Sequence, residues 1–540
     1  MVRRRITQRR TSRAALVVLI LCAQMLIILA SCSARLPRKH LPEPVLPNHP
    51  EILNLYWESW RLVNNARYQG TRLNGFPDQY LNIENGSVIN QWPTLSSALF
   101  AMYGYRDFPV MQTLDLFYNK QRSDGFIART YIVNSGDPLH LPTQLDPMIN
   151  PPLFAWVELK YFTLSGDSVR LRQVFPKLER YFAWIDQFCR GKYEATDLYY
   201  TTAIGSGMLN LPRGDVEHGG WTDLTAQMAL FAEQLARIAG ILNVPERERY
   251  YHERYLSISR AIQSKLWNPD SSFYYDYSRE GKTSFLRTIN GFWPLLAGIP
   301  DTDQARRLIG YLKDPNDFAP KHMFPSVSVR EIDYNPLGFY WRGGVWGISN
   351  YMIIQSLKRY GETEFAREAA WNHLKNMAEV YRGFDLSVDA ECPEPESGMA
   401  GKIWEVYAPE KVCPGTNWNA QNLCRPDQIS FSGHGPISMV IEDILGFQTD
   451  APEDELRWHM TRADRHGIRR LGFGDNTVSV WTEPDTVRPE VLTLAGSTDS
   501  EFKLIIDTVQ DSFQVNFDPG PIAVSFLPAD YLLRGRFSQQ

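Results

Sequence analysis

Apolar residues recur every three to four positions through most of this chain, and that period constrains the fold more than any other feature. After Trp221, the residues Leu224, Met228, Phe231, Leu235, Ile238 and Leu242 step by four and three, which puts them on one face of a helix. The same register runs through Leu171, Val174, Leu178, Phe182, Ile185 and Cys189. There Pro176 must kink or restart the helix, because proline has no amide proton and crowds the preceding turn. The pattern predicts further helices near residues 51–66, 94–104, 108–121, 152–164, 247–266, 285–298, 302–313, 345–359, 363–382 and 435–446. Loops rich in Gly, Pro and Asn separate them. No fixed repeat length links the segments, so a toroid of helix pairs fits better than a regular solenoid.

After about Asp450 the period falls to two. Val478 and Val480, then Phe502, Leu504 and Ile506, then Phe513, Val515 and Phe517, then Ile522, Val524 and Phe526 alternate as half-buried strands do. Residues 50–450 are therefore expected to form a helical domain, and 451–540 a small C-terminal β-domain of sandwich type. That domain reads as a structural cap, with carbohydrate binding as the alternative. A chain of 540 residues has room for one large core and a smaller one. The net charge is −5 with no long run of one sign, which argues against nucleic acid as a partner. The 15 Trp, 26 Tyr and 27 Phe are a surplus that sugar stacking would use, although cores use aromatics more often.

The first 32 residues read as an export signal. Arg3, Arg4, Arg5, Arg9, Arg10 and Arg13 precede an apolar stretch from Ala14 to Ala30, which ends in Leu29-Ala30-Ser31-Cys32. Small residues directly before a cysteine form a bacterial lipobox, so cleavage there would leave a lipid on Cys32. An uncleaved signal anchor is the alternative. The expected location is the bacterial cell envelope, membrane-anchored and facing the periplasm or exterior. Ser33 does not supply the aspartate that marks inner-membrane retention. Residues 33–49, with Pro37, Pro42, Pro44 and Pro47, read as a tether. Of the other cysteines, Cys22 leaves with the leader and Cys189 follows a helical register. Cys392, Cys413 and Cys424 share one irregular stretch, where a 413–424 disulfide is expected.

Glu405 is the leading chemical candidate. It stands in Ile403-Trp404-Glu405-Val406-Tyr407, a carboxylate among aromatics, which suits a base that activates water in a partly dry pocket. A loop carboxylate capping a helix is the plainer alternative. An ordered set of segments surrounds it in sequence: Asn90-Gln91-Trp92, Asp124-Gly125-Phe126-Ile127-Ala128-Arg129, Gly205-Ser206-Gly207-Met208-Leu209-Asn210-Leu211-Pro212-Arg213, Trp221-Thr222-Asp223, Tyr340-Trp341-Arg342-Gly343 and Gly433-His434-Gly435-Pro436. From about residue 49 to 450 this order resembles the (α/α)6-barrel glycoside hydrolases of the trehalase and processing α-glucosidase (family 63) clan, in its mannosylglycerate-hydrolase-like branch.

The resemblance implies an (α/α)6 toroid and inverting hydrolysis of an α-glucoside or α-mannoside. In that reaction an acid and a base stand about 6.5–9.5 Å apart with a water between them. It makes Glu405 the general base. It also implies that Gln91, Trp92, Arg129, Tyr340, Trp341 and Arg342 line the sugar subsite, with barrel-wall packing the alternative for both tryptophans. Arg129 has the alternative of holding loop carbonyls or Asp124. The resemblance breaks at two positions. Leu209 stands where the family carries its acid aspartate, and Pro93 where another aspartate follows the tryptophan. Leucine donates no proton, and losing a general acid costs roughly 10²–10⁴-fold in rate. Asp215 and Glu217, just beyond Arg213, are the nearest substitutes in sequence, with His218 and His434 behind them. Asp223 opens a helix and reads as a cap. The other reading is a degenerate member that binds a carbohydrate or a protein partner without cleaving it. Nothing in the sequence calls for a metal or an organic cofactor, and it leaves the oligomeric state open.

Overall fold

The computed structural model describes residues 36–84, 86–384, 399–418, 422–462, 464–484, 492–508 and 512–526. Cys22, Cys32 and Cys392 lie outside them. Helices α1 Pro50–Asn65, α2 Gln91–Ala101, α3 Val110–Asn119, α4 Phe154–Ser165, α5 Ser168–Phe188, α6 Thr222–Ile241, α7 Pro245–Ala261, α8 Thr302–Lys313, α9 Gly347–Arg359 and α10 Thr363–Arg382 follow the apolar periods closely. Helix α6 is buried along nearly its whole length, because its predicted apolar face is joined by small residues such as Ala226, Ala229, Ala232 and Ala236 on the others. Helix α5 continues as one helix through Pro176, with Leu171, Val174, Leu178, Phe182 and Ile185 buried on either side of it. The proline removes one backbone bond, and the packed face carries the helix past it. Helix α8 begins where the reading put it, because Asp301 accepts from the amides of Asp303 and Gln304 while Gln304 reaches back to the Asp301 amide.

Two of the expected helical segments take another form. Residues 285–298 form only short turns, Ile289–Phe292 and Trp293–Leu296. A β-carbon at Gly291 would lie 2.4 Å from the Phe273 ring, so this backbone hugs its neighbour instead of winding outward. The last helical segment is a wide-turned π-helix, His434–Ile444, fully buried along its length.

The segment expected as a tether is partly built into the fold. Strand β1, Glu43–Val45, pairs antiparallel with Gly467–Phe473, Leu41 and Leu46 are buried, and the Tyr56 hydroxyl donates to the Pro42 carbonyl at 2.6 Å. The other strands used below are β2 Val88–Asn90, β3 Thr130–Ile132, β4 Phe447–Asp450, β5 Glu455–His459, β6 Gly467–Phe473, β7 Asn476–Pro484, β8 Leu492–Thr498, β9 Phe502–Asp507, β10 Ser512–Phe517 and β11 Gly520–Phe526. One sheet has the order β1-β6-β7-β8-β11 and a second the order β10-β9-β5-β4. All pairings are antiparallel except β9 with β5. Leu504 and Ile506 point inward from β9 as the period of two requires, while Lys503 and Ile505 alternate with them. The rings of Phe473 and Phe502 meet across the two sheets, 6.1 Å apart.

Trp60, Trp341, Trp346, Trp404 and Trp458 are among the largest fully buried side chains. Much of the aromatic surplus therefore serves packing.

Candidate active site

Glu405 sits in an extended run clamped on both sides. The amide of Val345 donates to the Tyr407 carbonyl and the amide of Tyr407 donates back to Val345. On the other edge, the Gly415 amide donates to Val406 and the Glu405 amide to the Arg425 carbonyl. His322 braces the far end: its amide donates to Pro409 and its ring Nδ1 lies 2.8 Å from the Ala408 carbonyl. Burial holds the His322 imidazole down at about 4 and therefore neutral.

The Glu405 side chain is only 2% exposed. Arg425 grips it in a fork, Nη2 to Oε1 at 2.7 Å and Nε to Oε2 at 3.1 Å, and the Tyr340 hydroxyl donates to Oε1 at 3.1 Å. A forked guanidinium fixes the plane of a carboxylate as well as balancing its charge. The Arg425 side chain is itself 56% exposed, so a solvent-facing cation covers the buried carboxylate. Tyr340 is held by strained backbone: Phe339 and Tyr340 have φ of 32° and 59°, a region costing of order 1–3 kcal/mol for residues with a β-carbon. The compensation is visible. Thr416 accepts both amides, one on its hydroxyl and one on its carbonyl. Asn210 donates to the Phe339 carbonyl and accepts the Trp341 amide, each at 2.9 Å.

Asn210 thus ties the Tyr340 segment to the loop that carries Leu209. Leu209 is 47% exposed, an apolar side chain in the open at the position where the resemblance leads one to expect an acid. The same loop presses on Trp92, since a β-carbon on Gly207 would lie 2.6 Å from that indole. Trp92 meets Phe431, and Phe431 meets Trp346. The N-terminal ends of α2 and α9 and the short turn Ile429–Ser432 therefore gather beside the segments that hold Tyr340 and Leu209.

The expected sugar-lining residues divide. Tyr340 reaches Glu405 directly. Arg342 is 38% exposed and pairs with Asp333 at 2.6 Å. Trp341 lies inside the wall, stacked on Trp346 at 4.1 Å with 6° between the planes, so that face is taken. Trp92 is 5% exposed. Gln91 is fully buried and exchanges hydrogen bonds with the Tyr181 hydroxyl. Arg129 pairs with Asp146 at 3.0 Å rather than with Asp124, which pairs with Arg122.

Among the substitute acids, Asp215 and Glu217 are exposed, and Glu217 lies 3.8 Å from His218. Neither makes a hydrogen bond or ion pair with Glu405, Tyr340 or Arg425. His218 is buried against Tyr200, and burial lowers its pKa. His434 is buried with its ring on Tyr351 and Nε2 at 3.0 Å from Ser96. Asp223 is the partner of Arg213 in a buried triad with Asp276.

The sequence reading missed Arg425 and Glu84. Glu84 lies in the turn before β2, and its Oε2 accepts from the Asn90 side chain at 2.7 Å. Asn90 in turn accepts from Thr130 of β3 at 2.6 Å. Burial raises the Glu84 pKa, opposed by Asn90 and Arg425 and aided by Glu405, so this carboxyl lies within the electrostatic reach of the Glu405–Arg425 pair. Neither residue carries a local signal; Arg425 stands in an irregular stretch and Glu84 in a turn. The Cys413–Cys424 expectation is also corrected: Cys413 is in a disulfide, whereas Cys424 is a free buried thiol whose Sγ lies 3.1 Å from the Val406 carbonyl. Cys424 packs behind the Glu405 strand.

Among the described residues, no group of three His, Cys, Asp or Glu side chains is placed to hold a metal ion.

Known proteins resemble this chain in sequence and fold. A protein of Borreliella burgdorferi is 26% identical over 408 residues, 75% of this chain and 82% of that one. The mannosylglycerate hydrolase of Thermus thermophilus is 28% identical over 117 residues, 22% of this chain and 28% of that one. The crystal structure of a GH63 mannosylglycerate hydrolase from Thermus thermophilus, in complex with glucose, superimposes with a TM-score of 0.52 at 18% identity, covering 71% of this chain and 99% of that one. The family model of the mannosylglycerate hydrolase MGH1-like glycoside hydrolase domain matches residues 90–405, which run from Asn90 to Glu405. The chain belongs to the MGH1-like glycoside hydrolases.

Proposed function

We propose that this protein is an exported, lipid-anchored enzyme that hydrolyses an α-glucoside or α-mannoside with inversion, using Glu405 as the general base. The carrying observation is the Glu405 carboxylate itself: buried, oriented by Tyr340 and forked by Arg425, at the end of the family-matched segment. Glu405 takes a proton from the water that attacks the anomeric carbon. Arg425 swings from the carboxylate when substrate enters, and its exposure leaves room for that movement. The helices close as an (α/α)6 toroid, which suits a site built on loops at one end, and the C-terminal sheets form a sandwich against it. Trp418, 64% exposed in the segment that pairs with Phe339 and Tyr340, is the open aromatic face for a sugar ring. Arg342 offers further donors at the rim. Cys32 carries the lipid.

Turnover of α-glucosyl and α-mannosyl fluorides by residues 33–540, compared with the matching natural glycosides, tests the activity and ranks the sugars. Fluoride departs without a proton, so the assay reads the base apart from the acid. The exposed Leu209 favours a second reading, a carbohydrate-binding protein without turnover. Sugar binding with no hydrolysis of either fluoride establishes that second reading. Palmitate labelling that disappears in Cys32→Ala tests the anchor.

A further inference from the structure

Helices α2 and α9 start beside the segments of Tyr340 and Leu209, and their other ends border a second cavity, of about 490 Å³. Met102 and Tyr103 reach it directly after α2, and Gln355 and Lys358 reach it from the last two turns of α9. Along α9 that is roughly 12–17 Å from Gly347, at about 1.5 Å per residue. Lys160 of α4, Gln234 of α6 and Glu442 of the His434–Ile444 helix add to the wall, and Gln448 and Thr449 of β4 close one side. Glu405, Tyr340, Arg425 and Leu209 do not line it. The volume falls within the ~300–1,000 Å³ of small-molecule sites.

The charged part of this wall is complete in itself. Glu442 accepts from Lys160 at 2.7 Å, Tyr103 at 3.0 Å, Tyr351 at 3.1 Å and Gln355 at 3.1 Å. Lys358 pairs with Asp443 at 2.7 Å. The uncharged part is not complete. Gln234 is 5% exposed, lines the cavity and makes no side-chain hydrogen bond among the described residues. Buried amides are seldom left without partners, so this one calls for a group in the cavity that both donates and accepts. The side chains of Gln448 and Thr449 also make no hydrogen bond among the described residues, and Gln355 uses only its amide nitrogen on Glu442. Trp156 lines the same space half-buried, with its ring stacked on Tyr351 at 6.0 Å.

We propose that this cavity is a second, noncatalytic binding site for a neutral mono- or disaccharide, held between the ends of the helices and β4. Sugar hydroxyls donate and accept at once, which matches free amides and a threonine hydroxyl. The C–H face of a sugar ring suits an indole edged by polar groups. Lys160 is held by Glu442 and Lys358 by Asp443, while Arg237 is exposed at the edge, so among the lining residues no buried cation is left for an anionic ligand. The Glu442 network fixes Lys160, Tyr103, Tyr351 and Gln355 before a ligand arrives, which keeps the cost of ordering the wall low. The site stands whether or not Glu405 turns a substrate over.

Hydrogen exchange read by mass spectrometry, on residues 33–540 titrated with glucose, mannose or maltose, tests the site. With at least one of these sugars, exchange should slow in the peptides of β4 and the end of α9, equally in wild type and in Glu405→Gln. Gln234→Met keeps the length of the side chain and removes the amide, so the sugar concentration needed for that response should rise by roughly tenfold. Thr449→Val, on the strand side, should raise it by about threefold, and it carries the test by itself if the buried substitution lowers the melting temperature. Slowing confined to the peptides around Tyr340, Glu405 and Arg425 overturns the second site and leaves the hydrolase reading intact. No slowing at β4 with any of the three sugars, or a response unchanged in both variants, overturns it as well and leaves a cavity that holds water. Glucuronate binding there more than about tenfold tighter than glucose overturns the assignment to a neutral sugar.

Discussion

Replacing Arg213 by Met should destabilise the protein more than any change on its surface. The guanidinium donates Nη2 to Asp223 at 2.5 Å and Nη1 to Asp276 at 2.9 Å, and it lies 4.1 Å over the Trp221 ring. Side-chain exposures are 5%, 1% and 3% for Arg213, Asp223 and Asp276. Met fills much of the volume but leaves two buried carboxylates without their cation. Breaking a buried pair from one side costs about 3–5 kcal/mol. Losing the cation over the indole adds roughly 0.5–2 kcal/mol, part of which the methionine sulfur restores. A total near 4 kcal/mol, set against an unfolding entropy of ~2.1 cal/mol/K per residue over ~400 helical-region residues, lowers the melting temperature by about 5 °C. Differential scanning calorimetry measures it. The same heating experiment on Arg213→Met/Asp223→Asn/Asp276→Asn should recover more than half the loss, because the penalty is uncompensated charge rather than lost volume. A single variant that melts within about 1 °C of wild type, or a triple variant no better than the single, would refute the reasoning. Asp223 would then be free for chemistry rather than committed to structure.

Other outcomes follow from the same geometry. His322 is neutral in the fold at about 4, against 6.5 when exposed, so its stabilising contribution is complete above pH 6.5 and is lost as pH falls toward 4. His322→Asn keeps a donor toward Ala408 and should flatten the pH dependence of the melt in that window by roughly 1.4 kcal/mol per pH unit; an unchanged slope would show that His322 is not the titrating group. Gly207→Ala forces a β-carbon to 2.6 Å from Trp92 at φ +76°, so a loss of about 1–3 kcal/mol and a change in Trp92 fluorescence are expected; unaltered emission and stability would contradict the packing of that loop on the indole.

The helices were legible because a period of 3.6 is local information. The buried face of α6 and the start of α8 follow from residues a few positions apart. Residues 285–298 misled the reading because the fit of Gly291 against Phe273 is a tertiary fact. The strand at Glu43–Val45 was hidden for a similar reason: its partner, β6, lies more than 400 positions away in sequence, and its own prolines look like linker. At the site, Glu405 and Tyr340 stood out because they sit in recognisable runs. Arg425 and Glu84 did not, since each acquires its meaning only when chain segments from different parts of the sequence meet. Motif position suggested Trp341 and Gln91 as sugar contacts, with wall packing the alternative for the tryptophan; stacking on Trp346 and bonding to Tyr181 occupy these side chains within the wall.

The central claim, that Glu405 drives inverting hydrolysis, is tested most directly by the anomer released from an α-glycosyl fluoride, followed by proton NMR in wild type and Glu405→Gln. The account predicts the β-sugar as first product from wild type and a rate reduced by roughly 10²–10⁴-fold in the variant, whose amide oxygen keeps the Tyr340 and Arg425 Nη2 contacts and loses only that of Arg425 Nε. Release of the α-sugar, or a Glu405→Gln variant as fast as wild type, would contradict it.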